Sequence, residues 1–363
     1  MLFNTSCATR VAFLTEESPV AHRVTRGEVA ARAGTSPAVV SYVLNGGPRP
    51  VSDATRARVL AAIDELSYRP NSIARSLRTQ KTMTIGLIVP DTSNPFFGEA
   101  SRAIEDAAYR QGYMVVLGNA TESEERQSSY IRALVDQRVD GLIILPQYGT
   151  RSWIADIRES GIACVVLDRP DAELTFPSVG ADNVTGAALA VSHLVQTHGH
   201  RRIACIAGPE DQGPMDERVA GWREGMVLAG LDTRGLLHRG GFHRSDGLSM
   251  VDSLVAQGDP IDAIFAASDE QAFGVLRALY DHGLSVPDDV AVVGFDGVAS
   301  GRSMIPSLTT LQRPFARLGE IAVGLLLADD PAEPALTRLP VTLAIGESCG
   351  CTPDTRGERR VHA

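Results

Sequence analysis

Residues 24–45, with the sequence VTRGEVAARAGTSPAVVSYVLN, predict two short helices joined by a tight turn. Residues 28–33 are rich in small helix-forming side chains, and Gly34 after them suits the left-handed backbone at a helix end. Ser36 can then cap a second helix, with Pro37 at its first position. This pattern is a helix-turn-helix, in which the second helix typically enters the major groove of DNA.

The second helix of this motif has two chemically different faces. Its apolar side chains recur at helical spacing and are predicted to pack inward; they are Val39, Val40, Val43 and Leu44. Ser41, Tyr42 and Asn45 remain on or near the outer side. The alternative interpretation is a helical hairpin with no partner, because short patterns of this kind also arise by chance.

The charge of the chain is unevenly distributed. The formal net charge is −10, yet residues 21–82 hold 10 basic and four acidic side chains, a local charge of +6. The remaining residues therefore carry −16. A basic segment joined to an acidic body concentrates the affinity for phosphate groups in one place, as DNA binding requires.

The order of residues in this motif resembles the lactose-repressor (LacI) family of transcription regulators. The resemblance continues through VSDATRARV at residues 51–59 and YRPNSIARSLR at residues 68–78, and then covers nearly all of the rest of the chain. It implies a repressor that acts as a homodimer on near-palindromic, double-stranded operator DNA. It also implies that a small molecule controls the affinity for that DNA.

The pattern along the chain predicts five segments. A third helix, expected over residues 51–66 and capped by Ser52, completes a small helical core, and Pro70 marks its end because the residue before proline disfavours helix. The segments are a disordered extension (1–21), a helix-turn-helix DNA-binding domain (22–70), a hinge helix or linker (71–80), a two-lobed effector-binding and dimerisation domain (81–347) and a flexible tail (348–363).

Strand-like and helix-like patterns alternate from Thr84 onward, which predicts a parallel α/β fold. Two sets of strands are predicted, at 85–89, 113–117, 141–145 and 163–167, and then at 202–207, 263–266 and 290–294. The fold class is therefore α/β, with a two-lobed, periplasmic-binding-protein-like body behind an all-α helix-turn-helix domain. The resemblance implies three crossings between the lobes, so the segment after Leu311 is expected to return to the first lobe.

Polar and aromatic residues follow the predicted strand ends, where such folds bind ligands. Carboxylates accept hydrogen bonds from sugar hydroxyls, arginines and amides donate them, and aromatic rings cover the apolar C–H faces. The resemblance to ribose-binding relatives implies an effector site made of Asp91, Asn94, Phe96, Phe97, Asp168, Arg169, Arg218, Phe242, Ser268, Asp296 and Gln312.

Several alternatives to a ribose-like sugar remain open. Ser268 stands where the ribose-binding relatives usually carry Asn, and purine-responsive relatives share the arginine and aspartate positions, so a purine or another metabolite is the second candidate effector. Asp168 and Arg169 are alternatively a salt bridge at a strand end, and Asp296 a turn cap. A sugar-binding protein without a DNA role is the alternative of another class; a signal peptide and the absence of a basic domain would mark it.

The resemblance also assigns the DNA contacts. Pro37, Ala38 and Tyr42 are the expected base readers, with Arg49 in the following loop; the first two offer only apolar contact, for example with a thymine methyl group. In the hinge, Asn71 is a helix cap, Leu77 a minor-groove wedge and Ala74 its small neighbour; simple packing is the alternative for Leu77. The expected phosphate contacts are Thr25, Ser36, Ser41, Asn45, Ser52, Thr55 and Tyr68.

No motif in the sequence indicates catalysis. A phosphate-binding loop, a Gly-x-Ser-x-Gly elbow and paired metal ligands are all missing, so we predict neither an enzyme nor a cofactor or metal. The pair His198 and His200 around a glycine is interpreted as a helix end, and Cys349 and Cys351 as part of the tail, although they could bind a metal or oxidise. The odd number of cysteines without a disulfide spacing and the missing secretory pattern predict a cytoplasmic protein without a membrane segment.

Overall fold

The computed structural model describes residues 24–47, 49–69, 76, 79–146, 152–168, 176–211, 213–258, 260–330 and 333–352. The chain divides into two compact units, Met1–Arg78 and Thr79–Ala363. We call them the helical unit and the two-lobed unit. No helix of the described residues combines the length and the apolar character that a membrane crossing needs.

The described part of the helical unit contains α1 (Arg26–Arg32), α2 (Pro37–Asn45) and α3 (Asp53–Glu65). Each helix begins at a hydroxyl side chain that accepts a hydrogen bond from a backbone N–H of its first turn: Thr25, Ser36 and Ser52, respectively. The turn between α1 and α2 passes through Gly34, whose φ of 61° lies in the left-handed region. The predicted helix-turn-helix is confirmed. The sequence could predict it because local capping signals decide where these short helices begin.

A small apolar core holds the three helices together. Val29 of α1, Val40 and Val43 of α2, and Val59 and Ala62 of α3 are buried against one another. The predicted inward face of α2 is thus correct for its two central valines, whereas its other two apolar residues are only partly buried. Such a core fixes the angle at which α2 presents its outer face.

The two-lobed unit alternates strands and helices throughout. Its elements are β1 (Thr84–Val89), α4 (Pro95–Arg110), β2 (Met114–Asn119), α5 (Glu124–Asp136), β3 (Gly141–Ile144), α6 (Ser152–Ser160), β4 (Cys164–Leu167), β5 (Ser178–Ala181), α7 (Asn183–His198), β6 (Ile203–Ala207), α8 (Pro214–Leu228), β7 (Leu237–Arg239), α9 (Arg244–Gln257), β8 (Ala263–Ala266), α10 (Asp269–Asp281), β9 (Ala291–Asp296), a 3₁₀ turn (Ala299–Ser303), β10 (Thr309–Gln312), α11 (Phe315–Leu326), β11 (Leu336–Leu339) and β12 (Thr342–Ala344).

These strands form two six-stranded sheets, one in each lobe. The first sheet has the order β11-β5-β4-β3-β1-β2 and the second the order β12-β10-β9-β8-β6-β7. All pairs are parallel except β10 with β12. In both sheets the strand order reverses beside the first strand, β1 or β6, which places a crevice for a ligand at the carboxyl ends of the neighbouring strands.

The chain crosses between the lobes three times, as predicted. It leaves the first lobe after β5, returns after β10 so that β11 pairs with β5, and leaves again so that β12 pairs with β10. The expected return after Leu311 is therefore confirmed. The predicted strands correspond to β1–β4, β6, β8 and β9, whereas the short strands β5, β7, β10, β11 and β12 were not among them.

The expected flexible tail from residue 348 is wrong for its first residues. Ser348 and Cys349 are buried, and the Ser348 hydroxyl donates a hydrogen bond to Val292 O at 2.7 Å and accepts one from Thr309 N at 2.9 Å. These bonds attach the segment to β9 and β10, because it completes the hydrogen bonding at the starting ends of both strands. The rest of the predicted tail from residue 353, like the extension 1–21, lies outside the described residues.

Candidate functional site

A cavity of about 260 Å³ lies between the two lobes, at the carboxyl ends of the strands of both sheets. Pro90, Leu145 and Asp168, which follow β1, β3 and β4, reach it from the first lobe. Asp296 at the end of β9 and Arg218 on α8 reach it from the second. Six residues predicted from the sequence line this cavity: Phe96, Phe97, Asp168, Arg218, Phe242 and Asp296.

Two arginines and two aspartates form a buried cluster at the wall of the cavity. Arg218 Nη2 donates to Asp296 Oδ1 at 3.0 Å, and Arg313 Nη2 donates to Asp168 Oδ1. Arg313 Nη1 also lies 3.9 Å from Asp296 Oδ1. The four side chains are at most 8% exposed. Two positive charges therefore balance two negative ones where water screens poorly, so this cluster adds no net charge to the cavity wall; Glu122, which also lines the cavity, lies 3.5 Å from His243.

The Arg218 side chain is held in one orientation. Its Nε donates to Asn183 Oδ1 at 2.9 Å, and its Nη1 donates to the carbonyl oxygen of Ala267. The guanidinium carbon also lies 3.8 Å from the centre of the Phe295 ring. Because these partners come from α7, from the end of β8 and from β9, the fold of the second lobe fixes the guanidinium before any ligand arrives.

Burial changes the acidity of two aspartates in this region. It raises the pKa of Asp296, although Arg218 and Arg313 act in the opposite direction. It also holds the pKa of Asp269 well above its usual value, with Asp296 as a second cause. The Asp269 carboxylate accepts hydrogen bonds from Thr310 Oγ1 at 2.5 Å and from Val298 N at 2.8 Å, and so shapes the turn that follows Asp296.

Both cavity aspartates have an unusual backbone conformation. The φ angles of Asp168 and Asp296 are 56° and 118°, which side-chain-bearing residues rarely adopt. Gly297 continues the second turn with a φ of 73°, and a Cβ there would lie 2.5 Å from Gln312 Cα. Strained residues of this kind concentrate at functional sites, where the surrounding structure enforces them.

Aromatic rings cover the apolar part of the cavity. Phe96 and Phe97 come from the start of α4, with their ring centres 5.1 Å apart in an edge-to-face arrangement. Phe242 comes from the second lobe, and Gly208 makes room for it, since a Cβ at that glycine would lie 2.5 Å from the ring. Both lobes thus present flat apolar surfaces beside charged hydrogen-bonding groups.

The other described residues predicted for the effector site are not among those that line the cavity. Asn94 caps α4 by accepting a hydrogen bond from Phe96 N at 2.9 Å, and Asp91 accepts one from Ser93 N at 2.9 Å. Ser268 caps α10, where its hydroxyl accepts a hydrogen bond from Gln271 N at 3.2 Å. Gln312 ends β10, next to Arg313. Arg169 lies outside the described residues.

The outer face of the helical unit carries the predicted DNA contacts. Ser41 and Tyr42 are partly exposed, and the Tyr42 ring lies over Gly47, where a Cβ would come within 2.2 Å of it. Partial exposure is also found for Thr55 and Tyr68, and full exposure for Thr25, Ser36, Pro37, Ala38, Asn45, Arg49 and Ser52. The predicted hinge residues Asn71, Ala74 and Leu77 lie outside the described residues.

Comparisons with known proteins agree with this architecture. Residues 27–71 match the family model described as bacterial regulatory proteins, lacI family, and residues 82–345 match periplasmic binding proteins and the sugar binding domain of the LacI family. The chain belongs to the LacI family. It is therefore a DNA-binding regulatory protein whose body has the fold of a sugar-binding domain.

Individual members of the LacI family match along most of the chain. The ribose operon repressor of Halalkalibacterium halodurans is 37% identical over 326 residues, which cover 88% of this chain and 96% of the relative. A lac repressor dimer bound to operator and an anti-inducer has a TM-score of 0.81 at 30% identity, covering 90% and 99%. A regulator from Enterococcus faecium with bound ribose has a TM-score of 0.64 at 29% identity, covering 73% and 98%.

Sequence reasoning missed one central residue of this LacI-family cavity. Arg313 lines it, is 2% exposed and contacts aspartates from both lobes. Its guanidinium carbon also lies 4.6 Å from the centre of the Phe96 ring. The available signal was its position directly after the strand that ends at Gln312, where the chain crosses back to the first lobe.

The interpretation of Cys349 and Cys351 as tail residues is wrong, and no local pattern in the sequence identifies their neighbours. In this LacI-family chain they lie beside His193 and His198 of α7, and all four candidate ligand atoms are within 4.8 Å of one another. His198 does end its helix before Gly199, as predicted. The cluster arises because the buried Ser348 directs the chain back against the end of α7. Cys164 and Cys205, by contrast, are buried in the apolar cores of the two lobes.

Proposed function

We propose that this chain is a repressor whose operator affinity is controlled by a neutral pentose, ribose or a close relative, bound between the two lobes. The observation that carries the proposal is the charge-balanced cluster of Arg218, Arg313, Asp168 and Asp296 beside three phenylalanine rings. Sugar hydroxyls both donate and accept hydrogen bonds. The cluster offers both kinds of partner, with two arginines as donors and two aspartates as acceptors.

The size of the cavity also supports a small sugar. Its volume of about 260 Å³ lies just below the range of roughly 300–1,000 Å³ that is usual for drug-sized ligands. A single pyranose or furanose ring suits such a space. The rings of Phe96 and Phe242, from different lobes, then cover the C–H faces of the sugar while the arginines and aspartates bind its hydroxyl groups.

The operator is read by the outer face of α2. Pro37 and Ala38 supply apolar contacts to base edges, and Tyr42 adds a hydroxyl group. The exposed hydroxyl and amide side chains around them bind phosphates and set the register without reading sequence. The hinge residues Asn71 and Ala74 accompany Leu77, which inserts into the minor groove and bends the site.

Transcription is controlled through thermodynamic linkage between sugar binding and DNA binding. The sugar binds one arrangement of the lobes more tightly than another, and the ratio of these affinities is the largest change in DNA affinity that it can cause. The protein works as a cytoplasmic homodimer on a near-palindromic site, and it binds its effector without chemical turnover.

The test is calorimetric titration of the full-length protein with D-ribose. We expect binding, and we expect Asp296→Asn to weaken it by about 10–100-fold, because one charged hydrogen-bond acceptor is lost. Asp232→Asn is the matched control: its carboxylate pairs with Arg234 on the exposed surface and should leave the affinity unchanged.

The same titrations with hypoxanthine and guanine separate the alternatives. Binding of a purine but not of ribose, lost in Asp296→Asn, would keep the regulator and replace the sugar. Equal ribose affinity in the wild type and in Asp296→Asn would remove this cavity from effector binding. The DNA arm uses a duplex selected by the wild-type protein, whose affinity for it should change when ribose is added.

A further inference from the structure

The His/Cys cluster, made of His193, His198, Cys349 and Cys351, lies at the edge of the second sheet opposite the cavity. His198 is the last residue of α7, immediately before the chain enters β6, and Cys349 contacts Thr309, the first residue of β10. The cluster therefore lies at the starting (amino) ends of the strands, whereas the cavity lies at their carboxyl ends. It has no part in the proposed function.

Three of the distances between ligand atoms in the cluster match those of a tetrahedral metal site. His193 Nε2 lies 3.3 Å from Cys349 Sγ and 3.8 Å from Cys351 Sγ, and His198 Nε2 lies 3.3 Å from Cys351 Sγ. Ligands placed about 2.0–2.3 Å from a central ion at tetrahedral angles lie about 3.3–3.8 Å from one another. Three of the six distances thus already have this spacing, and all four ligand atoms lie within 4.8 Å of one another, close enough for small side-chain rotations to bring them around one ion.

Hydrogen bonding alone accounts poorly for this arrangement. His193 Nε2 carries either one proton or one lone pair, yet it faces two sulfur atoms. At most one of these two contacts is therefore a strong hydrogen bond, and Cys349 Sγ has a second long contact, 3.8 Å to Gly346 O. A cation shared by the imidazole and both sulfurs, in contrast, stabilises every close approach in the cluster.

Surrounding groups orient the ligands. The other ring nitrogen of His193, Nδ1, lies 3.3 Å from Thr197 Oγ1, which leaves Nε2 to face the sulfurs. The Thr309 hydroxyl accepts a hydrogen bond from Gly346 N at 2.9 Å and donates its own proton to Cys349 Sγ at 3.1 Å. A sulfur that accepts such a bond suits the thiolate form, and metal-binding sites commonly have second partners of this kind.

The backbone brings both cysteines to the same point. Gly350 separates them with a φ of 96°, and a Cβ there would lie 3.4 Å from the His198 ring. Ser348, the residue before Cys349, is fixed to β9 by hydrogen bonds, so the segment is positioned without a metal. The site is therefore pre-organised on a rigid part of the lobe.

We propose that His193, His198, Cys349 and Cys351 bind one Zn²⁺ ion in tetrahedral geometry. Two thiolates and two imidazoles are the ligand set that zinc favours in structural sites, and their two negative charges neutralise the ion. Zinc binding releases the thiol protons and joins the segment after β12 to the end of α7. The site is structural, since the protein supplies all four ligands.

The test is a titration of the full-length, reduced and chelator-treated protein with Co²⁺ under anaerobic conditions. We expect one equivalent to bind, with the visible bands of tetrahedral Co²⁺ and the near-ultraviolet thiolate charge-transfer band, and we expect Zn²⁺ to remove both. Elemental analysis should then find one zinc ion per chain.

Variants decide which residues bind the ion. Cys351→Ser and His198→Gln should each lower the Zn²⁺ affinity by more than about 100-fold, beyond the effect of losing an outer partner of a ligand. The controls are Cys164→Ala, which removes a thiol from the first lobe, and His200→Gln, which removes the neighbouring ring that lies 3.7 Å from Asp262. Circular dichroism verifies that each variant is folded.

Three outcomes would overturn the proposal. The first is less than one equivalent of bound Co²⁺ or a spectrum without the thiolate band. The second is unchanged affinity in both ligand variants, and the third is a loss of affinity in the controls equal to that in the ligand variants. Persistence of a Cys349–Cys351 disulfide in the reduced protein, seen as a mass lower by two hydrogens, counts as the first outcome.

Discussion

The second sheet carries two polar clusters at its opposite ends, and they differ in how their charges are balanced. At the carboxyl ends, Arg218 and Arg313 neutralise Asp296 and Asp168 directly. At the starting ends, the His/Cys cluster brings together sulfur and imidazole ligand atoms whose thiolate form is negative. The first cluster is complete without an ion and suits a neutral ligand, whereas the second becomes electrically balanced when it binds a dication.

The two clusters also differ in the elements from which they are built. The cavity combines residues from both lobes, so a relative motion of the lobes changes it. The His/Cys cluster uses only α7 and the segment after β12, both attached to the second sheet. A regulated site is thus built across a movable boundary, while a structural site is built on one side of it.

The largest effect is expected from removing the cation of the first cluster. Arg218→Met leaves the Asp296 carboxylate and the Asn183 and Ala267 oxygens without their donor in a buried place, so the free energy of unfolding should fall by about 3–5 kcal/mol. Urea denaturation, followed through the unfolding transition of the two-lobed unit, measures this free energy. Arg317→Met removes an exposed ion pair with Glu320 and should lower the free energy of unfolding by less than about 0.5 kcal/mol. Equal losses of stability in the two variants would contradict the structural importance of the buried arginine.

A pH-dependent effect is expected from Asp269. Burial raises the pKa of this carboxyl above its value in the unfolded chain, so the native state holds the proton longer. Its contribution to stability is present below about pH 4 and is lost as the pH rises through the raised pKa, at about 1.4 kcal/mol per pH unit.

Asp269→Asn cannot ionise, and it isolates this contribution. Relative to the wild type, its free energy of unfolding should increase as the pH rises from 4 to 8 in urea denaturation experiments. Parallel stability curves for the two proteins would show that Asp269 does not titrate in this range.

The smallest effect is expected at the His/Cys cluster's outer partner. Thr309→Val removes the hydroxyl that donates to Cys349 Sγ, and should weaken Zn²⁺ binding by about 10-fold. Ribose binding should not change, because Thr309 lies at the opposite end of β10 from Gln312 and Arg313. A parallel loss of sugar affinity would show that the two clusters are coupled through the strand.

The sequence predicted elements whose signals are local. The caps at Thr25, Ser36 and Ser52 each act within one helical turn, and the apolar runs of the central strands mark burial on both faces. Short edge strands such as β7 and β12 lack such runs, since they are only partly buried. The lobe crossings came from the resemblance, not from any pattern in the residues.

The site was less predictable because it depends on distant contacts. Asp168 and Asp296 stood out as acidic residues at strand ends, but Arg313 was indistinguishable from other arginines until the fold placed it between them. The same limit applies to the His/Cys cluster: 151 positions separate His198 from the partner segment that begins at Cys349, and only the folded backbone relates them. Pairings over such distances have no local signature.

The three lobe crossings have a mechanical consequence. They lie side by side: Asp182 N donates a hydrogen bond to Leu339 O at 2.8 Å, and Arg313 in the remaining crossing binds Asp168, whose carboxylate also accepts a hydrogen bond from Ala181 N at 3.4 Å. Three adjacent covalent connections permit rotation about the line through them and resist sliding. Displacement then grows with distance from this axis, so contacts between the lobes, such as that of Glu122 with His243 at 3.5 Å, change when the lobes rotate. A small rotation beside Arg313 would thereby open or close the mouth of the cavity.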